Sequence, residues 1–381
     1  MSTVDFQSSN LPTFQSSTLP ILLADPSPCL RLLVLRELLG RPDGDPEVQE
    51  LIALREQDPL VADLFRAQGA DGPALSGVKG LVADNLAWRG GSLRATALAL
   101  MRLGYLGFGP EHPAVQRGAA HLLALQQEDG AWPIPGEGEG FDAEAQRRGG
   151  TQRGEGREGY SMIPLQTAIP LRALAACGYA ADPRAERAYA WLLAQRLPDG
   201  AWPTGMAGGL TAGNYGYVAG YRRLAHSRWG CRSNTTGSLI CLALHPARRA
   251  GPEARRALDL LLGRETREQQ ALGFEVARLV GAEPARGFLT FFARFDLALV
   301  LDLCWRVGAT LEDERVAELV KWVGGLQGAY GLWEYAARPQ ASRWVTFDLL
   351  RSLSRLDREG DWLSAEPRTP FQAYPRQRRR F

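Results

Sequence analysis

At 381 residues with 45% hydrophobic and 23% charged side chains, the chain has apolar content for a large core and too much of it for disorder. Its 44 lysines and arginines against 42 acids leave a net charge of +2, which excludes a global field recruiting nucleic acid or an anionic membrane. Lysine occurs only at Lys79 and Lys321, so Schiff-base chemistry is all but excluded on supply.

Taken in chain order, residues 1–24 are expected to be irregular, and they lack the cationic start and apolar core of a signal peptide. Residues 25–40 and 45–57 predict a first helical hairpin. From residue 92 onward the predicted helices alternate in character. Stretches 92–104, 161–177, 233–245 and 293–308 are nearly uncharged and predict helices buried on every side, and 342–356 is expected as the last inner helix. Stretches 113–127, 183–196, 252–264 and 313–327 carry their charges on one face, and most open at proline, as outer helices in contact with water do. The alternation predicts an all-α fold, an α/α toroid of about six helical hairpins with an inner ring wrapped by an outer one. One domain is expected over 25–357, with the Gly-, Glu- and Arg-rich stretch 136–159 as a mobile loop and 358–381 as an irregular basic tail. No stretch reaches the length of a transmembrane helix, and five scattered cysteines (Cys29, Cys177, Cys231, Cys241, Cys304) read as free thiols. The expectation is a soluble cytoplasmic protein.

A turn recurs between these helices. Residues 117–133 carry Gln126, Gly130 and Trp132; residues 187–203 repeat Gly200 and Trp202, with Arg196 where the glutamine falls and Gln195 beside it. A third copy ends with Gln327, Gly331 and Trp333, and a decayed one has Gln68 and Gly72 but Ala74 for the tryptophan. The period is roughly 60–70 residues, one helical hairpin per repeat, with a degenerate copy expected near 260–270.

The first turn, with Arg117, Gly118, Leu122, Gln126, Gly130, Trp132 and His121 at the aromatic position, resembles the QW motif of squalene and oxidosqualene cyclases. The resemblance implies the toroid of terpene cyclases and protein prenyltransferases over roughly residues 60–356, and a structural role for Trp132, Trp202 and Trp333 in tying hairpins together. It does not bring the family's chemistry with it. The chain has no Asp-Asp dipeptide, so the Asp-x-Asp-Asp acid of class II cyclases and the Asp-Asp-x-x-Asp magnesium motif are both missing. Asp302-Leu303-Cys304 copies the Asp-x-Cys pair of the prenyltransferase zinc site, but no histidine follows it.

Candidate chemistry therefore rests on the starts of the inner helices, which should open onto the toroid's cavity. Phe288, Phe292 and Phe295 follow helical spacing and could wall a cavity for an isoprenoid or a carbocation. Trp88, Tyr160, Trp229 and Trp344 occupy the equivalent entrances. Asp296, directly after the phenylalanines, is the candidate catalytic acid, the alternative being a helix-start acid favoured by the dipole. Arg89, Arg232, Asn234 and Arg343 could bind an anion such as a diphosphate, although capping accounts for the polar run before 237 as well. Asp302 is expected to pair with Arg306, and Asp348 with Arg351. Cys231, Cys241, His226 and His245 lack zinc-finger spacing, and no metal or cofactor is expected. The expected partner is an apolar, isoprenoid-like small molecule bound in the centre, with terpene cyclisation or prenyl chemistry as its transformation. The alternatives are a non-catalytic helical-repeat scaffold that binds a peptide or protein on its rim, and a carbohydrate-active toroid. The last would need Asp84 and Asp296 within about 5–10 Å of each other.

Overall fold

Outer helices start where a proline follows a capping residue, since proline needs no hydrogen-bond acceptor at the first helical position. Asp45 accepts from Glu47 and Val48 before α3 (Pro46–Leu54), His112 from Ala114 before α6 (Pro113–Ala124), and Asp182 from Arg184 before α8 (Pro183–Ala194). Helix α10 (Pro252–Leu262) follows Gly251, and α13 (Glu314–Gly324) is capped by Asp313. The computed structural model describes residues 18–68, 91–132, 134–135, 160–161, 164–203, 223–224, 226–263, 270–283, 295–328, 330–364 and 368–370.

Inner helices are buried all round. In α7 (Pro164–Ala176) and α9 (Arg232–Leu244) nearly every residue is inaccessible, and α5 (Gly91–Tyr105), α12 (Leu297–Val307) and α14 (Ser342–Leu356) are covered almost as completely. Each packs on the next in the order α5, α7, α9, α12, α14. Helix α14 then meets α1 (Thr18–Leu23) and the π-helical turn Val34–Leu38 that continues α2 (Pro28–Leu33), held by Arg343–Asp25 (3.1 Å) and Arg355–Glu37 (2.9 Å). Outer helices α3, α6, α8, α10 and α13 pack on α2, α5, α7, α9 and α12, and α4 (Pro59–Gln68) follows the 3₁₀ turn after α3. The fold is an all-α, α/α toroid, with fourteen α-helices among the described residues. Among the described residues the strands are two-residue pairs: β1 (Ile134–Pro135) antiparallel to β2 (Tyr160–Ser161), and β3 (Gln270–Ala271) parallel to β4 (Phe295–Asp296).

The recurrent turns hold the rings together. The indole N–H of Trp132 donates to the Leu122 carbonyl (2.7 Å), that of Trp202 to Leu192 (2.7 Å) and that of Trp333 to Val323 (2.8 Å), so each closes the end of its own outer helix. Their backbone N–H groups donate to Thr167, Thr235 and Thr346, each on the next inner helix. All three rings are fully buried, worth roughly 4–6 kcal/mol of transfer free energy apiece. Gln126 and Gln327 donate to the Gly130 and Gly331 carbonyls, and Arg196 Nε does the same to Gly200 at 3.2 Å, so arginine takes the glutamine's place in the second copy. Gly130 lies at φ +93°, and a Cβ there would sit 2.5 Å from the backbone of Arg187 on the next outer helix.

Three features differ from expectation. Helix α1 falls inside the segment expected to be irregular, because Leu22 finds a buried site in the main core. The tail is ordered in part: Thr369 donates to Asp259 through its N–H and its hydroxyl, Arg315 bridges Asp259, Asp313 and the Thr369 carbonyl, and Trp362 donates to Asp313. Thr369 sits on Gly263, where the fourth turn was expected; residues 264–269 lie outside the described set. The third is a short helix, α11 (Phe274–Leu279), in a stretch with no predicted element. The stretches 69–90, 136–159 and 371–381 lie outside the described residues, and the loop and most of the tail with them.

Candidate functional site

Helix α11 packs among the inner helices, touching α5, α12 and α14. Six residues cannot hold a helix alone, so its ends are fixed from outside. At its start Asp296 accepts from Gly273 N–H (2.7 Å) and Glu275 N–H (2.6 Å), and it also accepts from Ala298 N–H (3.2 Å) at the start of α12. One carboxylate thus caps two helices. Burial pushes it up to about 7, with the three N–H bonds acting against that. At the other end the Arg102 guanidinium donates to the Arg278 carbonyl (3.1 Å). Burial and the like charge of Arg278 bring Arg102 down to about 10. Between the ends, Glu275 meets Arg172 of α7 (2.5 Å) and Arg278 (3.0 Å); burial alone would raise its carboxyl, and the two guanidinium groups outweigh it and hold it low. Charges of opposite sign at the two ends match the helix dipole.

Beside α11 lies a cavity of about 230 Å³ lined by every inner element. Leu33, Met101, Ile240, Ala243, Leu244, Val276, Leu279, Leu299 and Leu303 form an apolar wall, and Glu37, Tyr105, Asp302, Arg306, Asp348 and Arg351 an ionic one. Arg172 and Glu275 also contribute. They come from the C-terminal halves of α5, α7 and α9, which is the opposite end of those helices from the predicted entrances, and from α2 and its π-helical turn, α11, α12 and α14. Asp302 accepts from Arg306 Nε (2.7 Å), Trp305 Nε1 (3.1 Å) and Arg351 Nη2 (3.4 Å). Burial works against its charge, and the two arginines hold it below the usual carboxylate range. Among the described residues Asp348 is bonded by Arg351 alone, on Oδ1, and burial pushes it up to about 6. The Tyr105 phenol is raised by burial and by the charge of Asp348, and its oxygen is buried without a hydrogen-bond partner among the described residues. Two carboxyls beside one guanidinium therefore differ in basicity, which is what separates an acid from a base in one site.

Of the predicted site residues, Asp296 is buried but spends both oxygens on backbone N–H groups and does not line this cavity. Trp344 is buried with its ring centroid 6.0 Å from that of Tyr105. Trp229 is half-buried beneath Arg228. Arg232 is buried and donates toward the Arg223 carbonyl (3.5 Å), and Asn234 accepts from Leu165 N–H (2.9 Å), joining α9 to α7. Arg343 pairs with Asp25. Trp88, Arg89, Phe288 and Phe292 lie outside the described residues, as does Asp84; Tyr160 and Phe295 are described only as backbone, in β2 and β4. His245 bonds Glu186 (2.7 Å) and Cys241 donates to the Ala168 carbonyl, and no group of metal-binding side chains forms among the described residues. Sequence reasoning missed Glu37 and Tyr105, and read Asp302 and Asp348 only as partners of their own helices' arginines. The usable signal was that both acids stand in stretches expected as inner helices, where a carboxylate is costly without a purpose.

No family model and no curated protein matches this sequence. Solved structures of the type II terpene cyclase MstE from Scytonema are similar. The apo form covers 77% of this chain and 95% of its own at 15% identity and a TM-score of 0.28. Variants of that enzyme, in complex with geranylgeranyl dihydroxybenzoate as substrate and merosterolic acid A as product, match at 15% identity with TM-scores of 0.28 and 0.29. The first covers 77% of this chain and 94% of its own, and the second 78% and 94%. At this level the likeness says nothing of chemistry. No helix among the described residues is long and apolar enough to cross a membrane.

Proposed function

We propose that the protein is a terpene-cyclase-like toroid that takes a compact isoprenoid-like amphiphile into its central cavity, hydrocarbon against the leucine wall and polar end on the ionic wall. The observation that carries this is Asp348, a buried residue that lines the same cavity as Leu303 and Leu299 and whose Oδ2 is unbonded among the described residues. The space, about 230 Å³, exceeds the ~150 Å³ of an apolar cavity that binds benzene and suits a ligand of about ten carbons. A chain of fifteen or more would need α11 to move. For acid-initiated chemistry Asp348 is the better donor than Asp296: its second oxygen is open, whereas a protonated Asp296 would give up N–H bonds that hold α11.

A calorimetric titration with geraniol tests the reading. The wild type should bind one equivalent, and Ala243→Trp, which fills the cavity from α9, should lose binding at least tenfold with an unchanged circular dichroism spectrum. Equal binding by both would place the ligand elsewhere. A second reading, the scaffold binding a peptide or protein on its rim, is favoured by one observation: α11 and the ion pairs of Glu275 with Arg172 and Arg278 occupy space among the inner helices. It expects no geraniol binding by the wild type.

A further inference from the structure

The ionic wall uses its donors and acceptors unequally. Asp302 has both oxygens occupied, by Arg306 on one and by Trp305 and Arg351 on the other. Arg306 is held there with its guanidinium carbon 4.5 Å from the centroid of the Trp305 ring. Arg351 lies between Asp302 and Asp348, with Glu37 3.9 Å away. Glu37 Oε2 accepts from Arg355. Three oxygens are left over: Oδ2 of Asp348 and Oε1 of Glu37, without partners among the described residues, and the buried Tyr105 hydroxyl. All three belong to side chains that line the cavity. Two of the three are carboxylate acceptors, and the third accepts as readily as it donates. A buried hydroxyl without a bond costs about 1–3 kcal/mol, so a ligand that completes it recovers that cost. An ammonium presents several donors, a positive charge and no acceptor, and its three N–H groups match three oxygens in number.

We propose that the ionic wall of the central cavity is a receptor for a primary alkylammonium, whose N–H groups go to Asp348, Glu37 and Tyr105 while its hydrocarbon body lies along Val276, Leu279 and Leu303. This rests on the reading of the cavity as a ligand site and names the polar end of its ligand. The groups facing Asp348 are Arg351 on its own helix, Asp302 and Arg306 of α12, Glu37 of the π-helical turn and Tyr105 of α5. Because Asp348 takes up a proton near pH 6, cation binding should weaken below that pH.

The test is a set of calorimetric titrations of the wild type with hexylammonium, hexanol and hexanoate. At pH 7.5 hexylammonium should bind at least tenfold more tightly than hexanol, hexanoate should bind least, and the preference should fall severalfold between pH 7 and 5. Asp348→Asn should erase the preference, and Glu37→Gln, a half-exposed position where folding is safer, should reduce it severalfold. Equal binding of hexanol, tighter binding of hexanoate, or a preference unmoved by pH and by Glu37→Gln would overturn the cation assignment and leave the cavity as a ligand site. Failure of all three probes to bind would sink the cavity reading itself.

Discussion

The hydrogen bonds of three tryptophans show how much a single side chain does here. Trp202→Phe would keep most of the buried ring but strand the Leu192 carbonyl, and should cost about 1–3 kcal/mol in chemical denaturation with the helical spectrum intact. Gly130→Ala should cost more than about 1 kcal/mol, because φ is +93° and the Arg187 backbone leaves no room for a Cβ. These positions were legible in the sequence, since the glycine and tryptophan offsets repeat. Asp296 was legible only as unusual. Its partners, the N–H groups of Gly273 and Glu275, lie more than twenty residues upstream in chain order, and no local pattern announces a carboxylate that caps a second helix. Arg196 shows the reverse case, a departure from the repeated pattern whose Nε still makes the bond to Gly200.

Among the elements, the alternation of buried and half-buried helices carried the fold. An inner helix is apolar on all sides and an outer one on a single stripe, so the two rings can be read from composition alone. Helix α11 escaped because six residues give no periodicity to read, and its stability comes from groups outside it. Asp296→Ala should therefore release both ends it caps: a loss of about 2 kcal/mol or more, with amide exchange of residues 273–279 rising before that of α12. Glu275→Gln keeps the shape but leaves Arg172 and Arg278 crowded without their acid, and should raise exchange in the same segment. Uniform exchange across α11 and its neighbours in both variants would show that the helix is not held as described. The cavity beside it was illegible for a related reason. Glu37, Tyr105, Asp302 and Asp348 come from four separate elements and meet only when the ring closes.

At the scale of the whole molecule, buried carboxyls set opposing pH dependences. Asp348 and Asp296 are raised in the folded state, to about 6 and about 7, so the stability each contributes is complete below its ordinary 3.8 and lost as pH rises through the folded value. Glu275, Asp302 and Asp313 are lowered, so theirs is present above the ordinary carboxylate range and lost on acidification. Asp348→Asn should accordingly remove a decline in stability between about pH 4 and 6, measured by denaturant unfolding across that range; a wild-type slope retained in the variant would contradict the assignment. The ring places these charges around one space, and the claim that this space holds a ligand is the centre of the account. It is tested most directly by photolabelling with a diazirine analogue of geraniol, followed by peptide mapping. One label per molecule is expected, competed by geraniol, on peptides carrying Met101, Leu279 or Leu303. Label that geraniol does not displace, or that maps to the outer helices and the rim, would contradict it.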